Sequence, residues 1–143
     1  MVFVPGRDGE KMSKSKGNTI NLFQTDKQLR KQVMQIETDS TPLEEPKVPD
    51  NCNVFKLYEI MATADETEEL RGKYEAGNFG YGHAKQALFE LIKDKYDPMR
   101  KSYESYMSDK KQIDNALELG AEKANDVASD VLTRLRGKLG YKR

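Results

Sequence analysis

Three lysines fall within six positions of GRDGEKMSKSKGNTI, residues 6–20, where they alternate with small residues between Gly9 and Gly17. A lysine ammonium is a compact cation with three donors and no acceptor. Serine hydroxyls and the amides of a small-residue turn add neutral donors, so the pattern suits a loop that wraps an anion. Lys11 and Lys14 are the candidates for meeting phosphate oxygens. Gly9 and Gly17 allow the backbone changes of a closing flap. The stretch is not a P-loop, because no glycine precedes Lys and Ser or Thr at the required spacing and no helix pattern starts after the glycines. The plain alternative is a solvated turn.

The elements that must carry this loop read as helices. Val2–Val4 is the only strand-like run, and turn residues then dominate as far as Asn18. Thr25, with Gln28 three residues on, forms a capping-box pattern. Leu29, Val33 and Ile36 follow at helical spacing and share one face. Pro42, Pro46 and Pro49 make residues 38–49 an extended connector, in which Asp39 and Ser40 cap or fix a turn. A second helix is expected after PDNCN with Asn51 or Asn53 as its N-cap, burying Phe55, Tyr58 and Met61 or Val54, Leu57 and Met61. A third is expected from about Glu66 to Ala76, ended by Gly77. A fourth begins near His83 with Ala84, Leu88, Ile92 and Tyr96 on its inner face, and Pro98 either kinks it or opens a new helix. The last begins near Ser108. Its Leu117, Ala121, Ala124, Ala128, Val131, Leu135 and Leu139 read as the seam of a helix packed in a bundle.

The 143 residues suffice for one domain with a modest core. Net charge is zero, but residues 1–36 hold seven bases and three acids, and residues 37–72 hold three bases and ten acids. A uniformly basic nucleic-acid footprint is thereby excluded, and any RNA contact is a local patch. No apolar run approaches the ~18 residues that span a bilayer. Cys52 is alone, so no disulfide or zinc cluster is expected. His83, the one histidine, is assigned to the first turn of its helix and not to a metal. The composition reads as cytoplasmic and reducing.

KMSKS at Lys11–Ser15, followed by Lys16, Gly17 and Asn18, resembles the second signature of the class I aminoacyl-tRNA synthetases. NTINLF (18–23), IETDS (36–40), PDNCNVFKLY (49–58), YEAGNFGYGHAKQAL (74–88), DPMR (97–100) and GAEKAN (120–125) are similar to the bacterial tryptophanyl-tRNA synthetases. The likeness runs through nearly all of residues 7–140, and Asn21 departs from it where relatives often carry proline.

That resemblance implies an all-α anticodon-binding domain over residues 25–143. Residues 1–24 are then the end of a Rossmann-type catalytic domain, with a mobile KMSKS loop, and the rest of that domain is missing. The whole enzyme would join tryptophan to ATP, with Mg, as tryptophanyl-adenylate and pass it to tRNA(Trp). It would be a homodimer, with no protein-bound metal or prosthetic group and no membrane or DNA partner. The loop Lys11, Met12, Ser13, Lys14 and Ser15 would bind ATP. Lys11 and Lys14 would meet the charge that grows on departing pyrophosphate, Met12 would pack the loop, and Ser13 and Ser15 would cap the turn or touch phosphate. Lys93, Lys95, Arg100, Lys101, Lys110 and Lys111 form the densest basic run on the later helices and are the tRNA candidates, against a solvated helix face. Tyr103 and Tyr106 are candidates for stacking on bases, against a core or rim position. The fragment alone is expected to be inactive, and its first twenty residues are expected to be disordered or misplaced without their catalytic partner. The rival reading is a non-catalytic helical adaptor for RNA or protein, and it leaves KMSKSKGN unexplained. A small phosphate-binding regulator that uses the loop alone lacks an opposing wall.

Overall fold

The computed structural model describes residues 3–141. Among them every regular element is helical: α1 (Asp26–Met34), a short 3-10 turn (Pro49–Asn51), α2 (Asn53–Met61), α3 (Ala64–Glu75), α4 (Tyr81–Ser108) and α5 (Lys110–Leu139). Val2, part of the strand-like run, lies outside the described residues; Phe3 and Val4 form no strand, and an isolated β-bridge pairs Pro5 with Lys11. The chain divides after Arg100 into two compact units.

In the first unit, caps set the helix starts. The Thr25 hydroxyl accepts from the Gln28 amide while the Gln28 side chain accepts from the Thr25 amide, the reciprocal box expected of that spacing. Thr63 and Glu66 form a second box, which starts α3 at Ala64, two residues before the expected Glu66. The α2 start corrects the sequence reading: Cys52 occupies the N-cap without a side-chain bond, and Asn53 is already the first helical residue. The Asn53 side-chain Nδ2 instead donates to the Glu37 carbonyl at 3.3 Å. Gly77 follows α3 with φ +73° and lies against the 44–46 backbone.

The core of the first unit is built from one face each of α1, α2, α3 and α4. Leu29, Val33 and Ile36 pack with Val54, Phe55 and Leu57, with Leu70 and Tyr74, and with Ala84, Leu88, Phe89 and Ile92. Tyr58, Met61 and Tyr96 are only partly buried around it. Burying each large side chain contributes about 1.5–3 kcal/mol. The Tyr74 hydroxyl meets Cys52 Sγ at 3.4 Å inside this core. Burial, and then Cys52, push the Tyr74 phenol well above its ordinary pKa. Lys47, 4% exposed, gives its ammonium to the carbonyls of Pro42, Leu43 and Glu45 at 2.7, 3.3 and 3.1 Å. The proline-rich connector thus closes over its own lysine.

α4 starts at Tyr81, before the expected His83, and continues through Pro98 without a new start. Pro98 costs this helix the N–H that would bond the Asp94 carbonyl. In the second unit, Asp109 caps α5 by accepting from the Lys111 amide. None of the α5 seam residues is buried: Leu117 is 66% exposed and Leu139 70%. Within the described residues of the second unit, no surface covers the α5 seam. Helical spacing gathers apolar side chains on one face, but their burial needs a second surface against that face.

Candidate functional site

The lysine loop is held by backbone pairing at its base. The Met12 amide donates to the Val4 carbonyl at 2.9 Å and the Gly6 amide to the Glu10 carbonyl at 2.7 Å. Gly9 turns the tip at φ +78°, and the Asp8 carboxylate accepts the Glu10 amide at 3.0 Å. A second turn follows, closed by the Gly17 amide on the Lys14 carbonyl at 3.1 Å, with Gly17 at φ +66°.

Asn18 organises the interior of this double turn and is 4% exposed. Its Nδ2 donates to Asp8 Oδ1, Asp8 Oδ2 and the Lys11 carbonyl at 2.8, 3.1 and 3.2 Å, while its Oδ1 accepts the Ser13 amide at 2.8 Å. The approach is close enough that a Cβ at Gly6 would lie 2.4 Å from the Asn18 amide nitrogen.

Arg7 ties the loop to its neighbours. Its amide donates to the Asn18 carbonyl at 2.9 Å, and its carbonyl accepts the Glu37 amide at 2.8 Å. Its guanidinium donates to the Gly17 carbonyl at 2.6 Å and to Gln35 Oε1 at 2.8 Å, just beyond α1. Within the first unit, Arg7 thus joins residues 17 and 18 of the loop to residues 35 and 37 beyond α1.

The lysines divide by partner. Lys16 faces Glu10 at 3.5 Å. Among the described residues, the exposed ammoniums of Lys11 and Lys14 have no partner, and the amides of Lys14, Ser15 and Lys16 have none either. Ser13 and Ser15 pair their hydroxyls at 2.8 Å, and Met12 packs partly buried against the core. Two uncommitted cations beside three uncommitted N–H groups fit an anion with several oxygens.

The basic residues on the later helices differ in burial and partners. Arg100 is 7% exposed and donates to the Gln24 carbonyl at 2.8 Å and to Asp26 Oδ1 at 2.6 Å. Lys93 pairs with Asp26 Oδ2 at 3.0 Å and lies over the Phe89 ring at 5.5 Å. Lys95 donates to the Met61 carbonyl. These three side chains join parts of the first unit to one another. Lys101, Lys110 and Lys111 are exposed in the second unit, as are Tyr103 and Tyr106. His83 lies beside Phe79, with ring centroids 5.8 Å apart. No group of three metal-ligating side chains occurs among the described residues, and no helix among them is long and apolar enough to cross a membrane.

Asp39 does fix a turn, accepting the Thr41 amide at 2.8 Å, and it also accepts the Tyr81 hydroxyl at 2.7 Å. Burial and the Asp39 bond push the Tyr81 phenol up to about 12. Sequence reasoning missed Arg7, Asn18 and Lys47. The only available signal was for Asn18, an amide directly after a turn glycine, a position that bonds back into the turn.

A family model described as tRNA synthetases class I (W and Y) matches residues 1–97. The tryptophan–tRNA ligase of Fusobacterium nucleatum is 45% identical over 137 residues, 96% of this chain and 42% of the relative. That of Rhodopirellula baltica is 43% identical over 97% of this chain and 43% of its own length. A crystal structure of tryptophanyl-tRNA synthetase from Campylobacter jejuni, complexed with ADP and tryptophan, superposes with a TM-score of 0.92 at 38% identity, over 98% of this chain and 44% of that one. The chain thus spans about two fifths of the length of the curated relatives it matches.

Proposed function

The chain belongs to the class I tRNA synthetases of the tryptophan and tyrosine type, and on that premise we propose that it is the C-terminal part of a cytoplasmic tryptophan–tRNA ligase. The observation that carries the reading is identity of 45% and 43% to two tryptophan–tRNA ligases across 96% and 97% of the chain. Residues 1–24 close a Rossmann-type catalytic domain, and residues 25–143 form the anticodon-binding domain of a homodimeric enzyme.

In the first step a tryptophan carboxylate oxygen attacks the α-phosphorus of ATP bound with Mg. The bond from that phosphorus to the bridging oxygen breaks, and pyrophosphate leaves with the electron pair. Negative charge grows on the leaving group, and it is this charge that Lys11 and Lys14 meet as the loop closes. Their lack of a partner among the described residues supports the role, since no ion pair there has to break first. Ser15 and the amides of Lys14 to Lys16 add neutral donors at the same turn. In the second step the tryptophanyl group passes from the adenylate to the terminal ribose of tRNA(Trp), and AMP leaves. Lys101, Lys110 and Lys111 are the candidates for the tRNA phosphates.

Tryptophan-dependent pyrophosphate exchange by the full-length enzyme tests this. Removing one contact of this kind costs about 10²–10³ in turnover. Lys14→Ala is therefore expected to slow exchange by about that factor while tryptophan binding stays nearly constant. An unchanged turnover number would remove Lys14 from the role, and a parent without tryptophan-dependent exchange would overturn the reading.

A further inference from the structure

We propose that Arg7 is a positioning residue for the Lys11–Lys14 loop, holding the hinge carbonyl of Gly17 and the side chain of Gln35 in one guanidinium fork. The proposal rests on the reading of the loop as a diphosphate-binding flap.

Arg7 stands outside the KMSKS segment and touches none of its lysines, yet it controls where the segment ends. Gly17 is the left-handed residue at the second turn, φ +66°, and a Cβ there would meet nothing within 4 Å. The peptide at Gly17 is thus free to turn unless something holds it. The Arg7 guanidinium holds its carbonyl at 2.6 Å. The other amino group of the fork takes Gln35 Oε1 at 2.8 Å, which places the anchor on the residue that caps α1. Main-chain bonds from Arg7 to Asn18 and from Glu37 to Arg7 fix the backbone beneath the same fork.

Plain packing does not account for an arginine here. Its Nε is buried and has no hydrogen-bond partner, which is unfavourable for a charged donor. An apolar side chain would fill the space without that cost. The arginine gains a two-pronged bond to two segments that its own main chain also joins, through Asn18 and Glu37. Lysine could supply the charge but not the fork, because its ammonium is a point donor without a planar pair of N–H groups.

The test uses the full-length enzyme with Arg7→Met, Arg7→Lys, Gln35→Ala and Arg7→Met with Gln35→Ala, read by hydrogen exchange at the bonded loop amides Met12, Ser13 and Gly17 and by pyrophosphate-exchange kinetics. Losing a charge-assisted bond at the hinge is expected to speed exchange of the Met12, Ser13 and Gly17 amides about tenfold or more in Arg7→Met. Turnover is expected to fall about tenfold, with the KM for tryptophan held within about twofold. Arg7→Lys should resemble Arg7→Met. The double variant should be no worse than Arg7→Met, because both changes open one latch. Unchanged loop exchange in Arg7→Met overturns the proposal. Faster loop exchange with unaltered kinetics also overturns it, because the latch would then have no bearing on the reaction. If the parent enzyme shows no tryptophan-dependent exchange, the functional reading fails, while the hydrogen-exchange comparison still reports on the latch.

Discussion

Asn18 spreads its two amide protons over both oxygens of Asp8 and the Lys11 carbonyl, with Asp8 at 2.8 and 3.1 Å. The same side chain accepts the Ser13 amide. This arrangement holds the Asp8 carboxyl below its ordinary value of 3.8, through the Asn18 bond first, with partial burial opposing it and the Glu10 amide and Lys16 charge assisting. A depressed carboxyl pKa favours the folded loop above the ordinary value, and that contribution disappears as pH falls through the depressed one. In Asn18→Ala, Asp8 is expected to titrate closer to 3.8, and the loop amides are expected to exchange faster at neutral pH. An NMR pH titration of the Asp8 side chain, run on both proteins, reads the first effect directly.

Two glycines separate backbone strain from steric clash. Gly17 and Gly77 both have positive φ, at +66° and +73°, but only Gly77 has a neighbour where a Cβ would sit, the Glu44 carbonyl oxygen at 2.6 Å. Gly17→Ala should therefore cost only the left-handed backbone term, about 1–2 kcal/mol, and should leave the core intact. Gly77→Ala adds a clash with main chain that cannot swing away, so its loss of stability should be clearly the larger. Paired urea denaturation curves measure the difference, and equal midpoints would contradict the assignment.

Asp26 balances two cations. Arg100 lies 2.6 Å from one of its oxygens and Lys93 3.0 Å from the other, and these two, Arg100 first, hold its carboxyl below the ordinary value. Asp26→Asn keeps one oxygen that can accept from Arg100, but it removes the negative charge between Arg100 and Lys93 and turns an amide donor toward one of them. Asp26 is half exposed, which screens the loss, so about 1–2 kcal/mol is expected and not the full cost of breaking a buried pair. The wild-type advantage is present above pH 3.8 and is lost as pH falls through the depressed Asp26 pKa. The two proteins' denaturation midpoints should therefore converge with acidification.

Local chemistry was readable in the sequence, and tertiary reach was not. The Thr25–Gln28 box could be read because both partners lie within one turn, and Leu29, Val33 and Ile36 because burial follows their spacing. The Thr63–Glu66 box obeys the same rule, but it was hidden because the apolar spacing of α3 becomes visible only at Leu70 and Tyr74. Arg100 and Lys101 are adjacent and chemically alike in the sequence. Arg100 is buried against Asp26, 74 positions away, and Lys101 is exposed. No local pattern carries that distinction. The α5 stripe shows the converse limit, since spacing reveals an apolar face without revealing what covers it. At the loop the motif supplies the candidate cations and Asn18, but Arg7 lies outside it and reaches Gln35 across 28 positions, a distance no motif encodes.

The division among the basic residues predicts two kinds of variant. Lys95 and Arg100 hold the Met61 and Gln24 carbonyls, so changing either to alanine should lower the melting temperature of the protein. The exposed ammoniums of Lys110 and Lys111 have no partner among the described residues, so their loss should leave melting within about 0.5 kcal/mol of the parent. If these two meet tRNA phosphates, the double alanine variant of the full-length enzyme should bind tRNA(Trp) more weakly and with a shallower salt dependence. Each lost phosphate contact removes about 0.7–0.9 from the slope of log K against log salt. Filter binding across a salt series measures that slope. A parallel line displaced downward would mean the lysines act by some route other than phosphate contact, and an unmoved line would place the tRNA elsewhere on the protein.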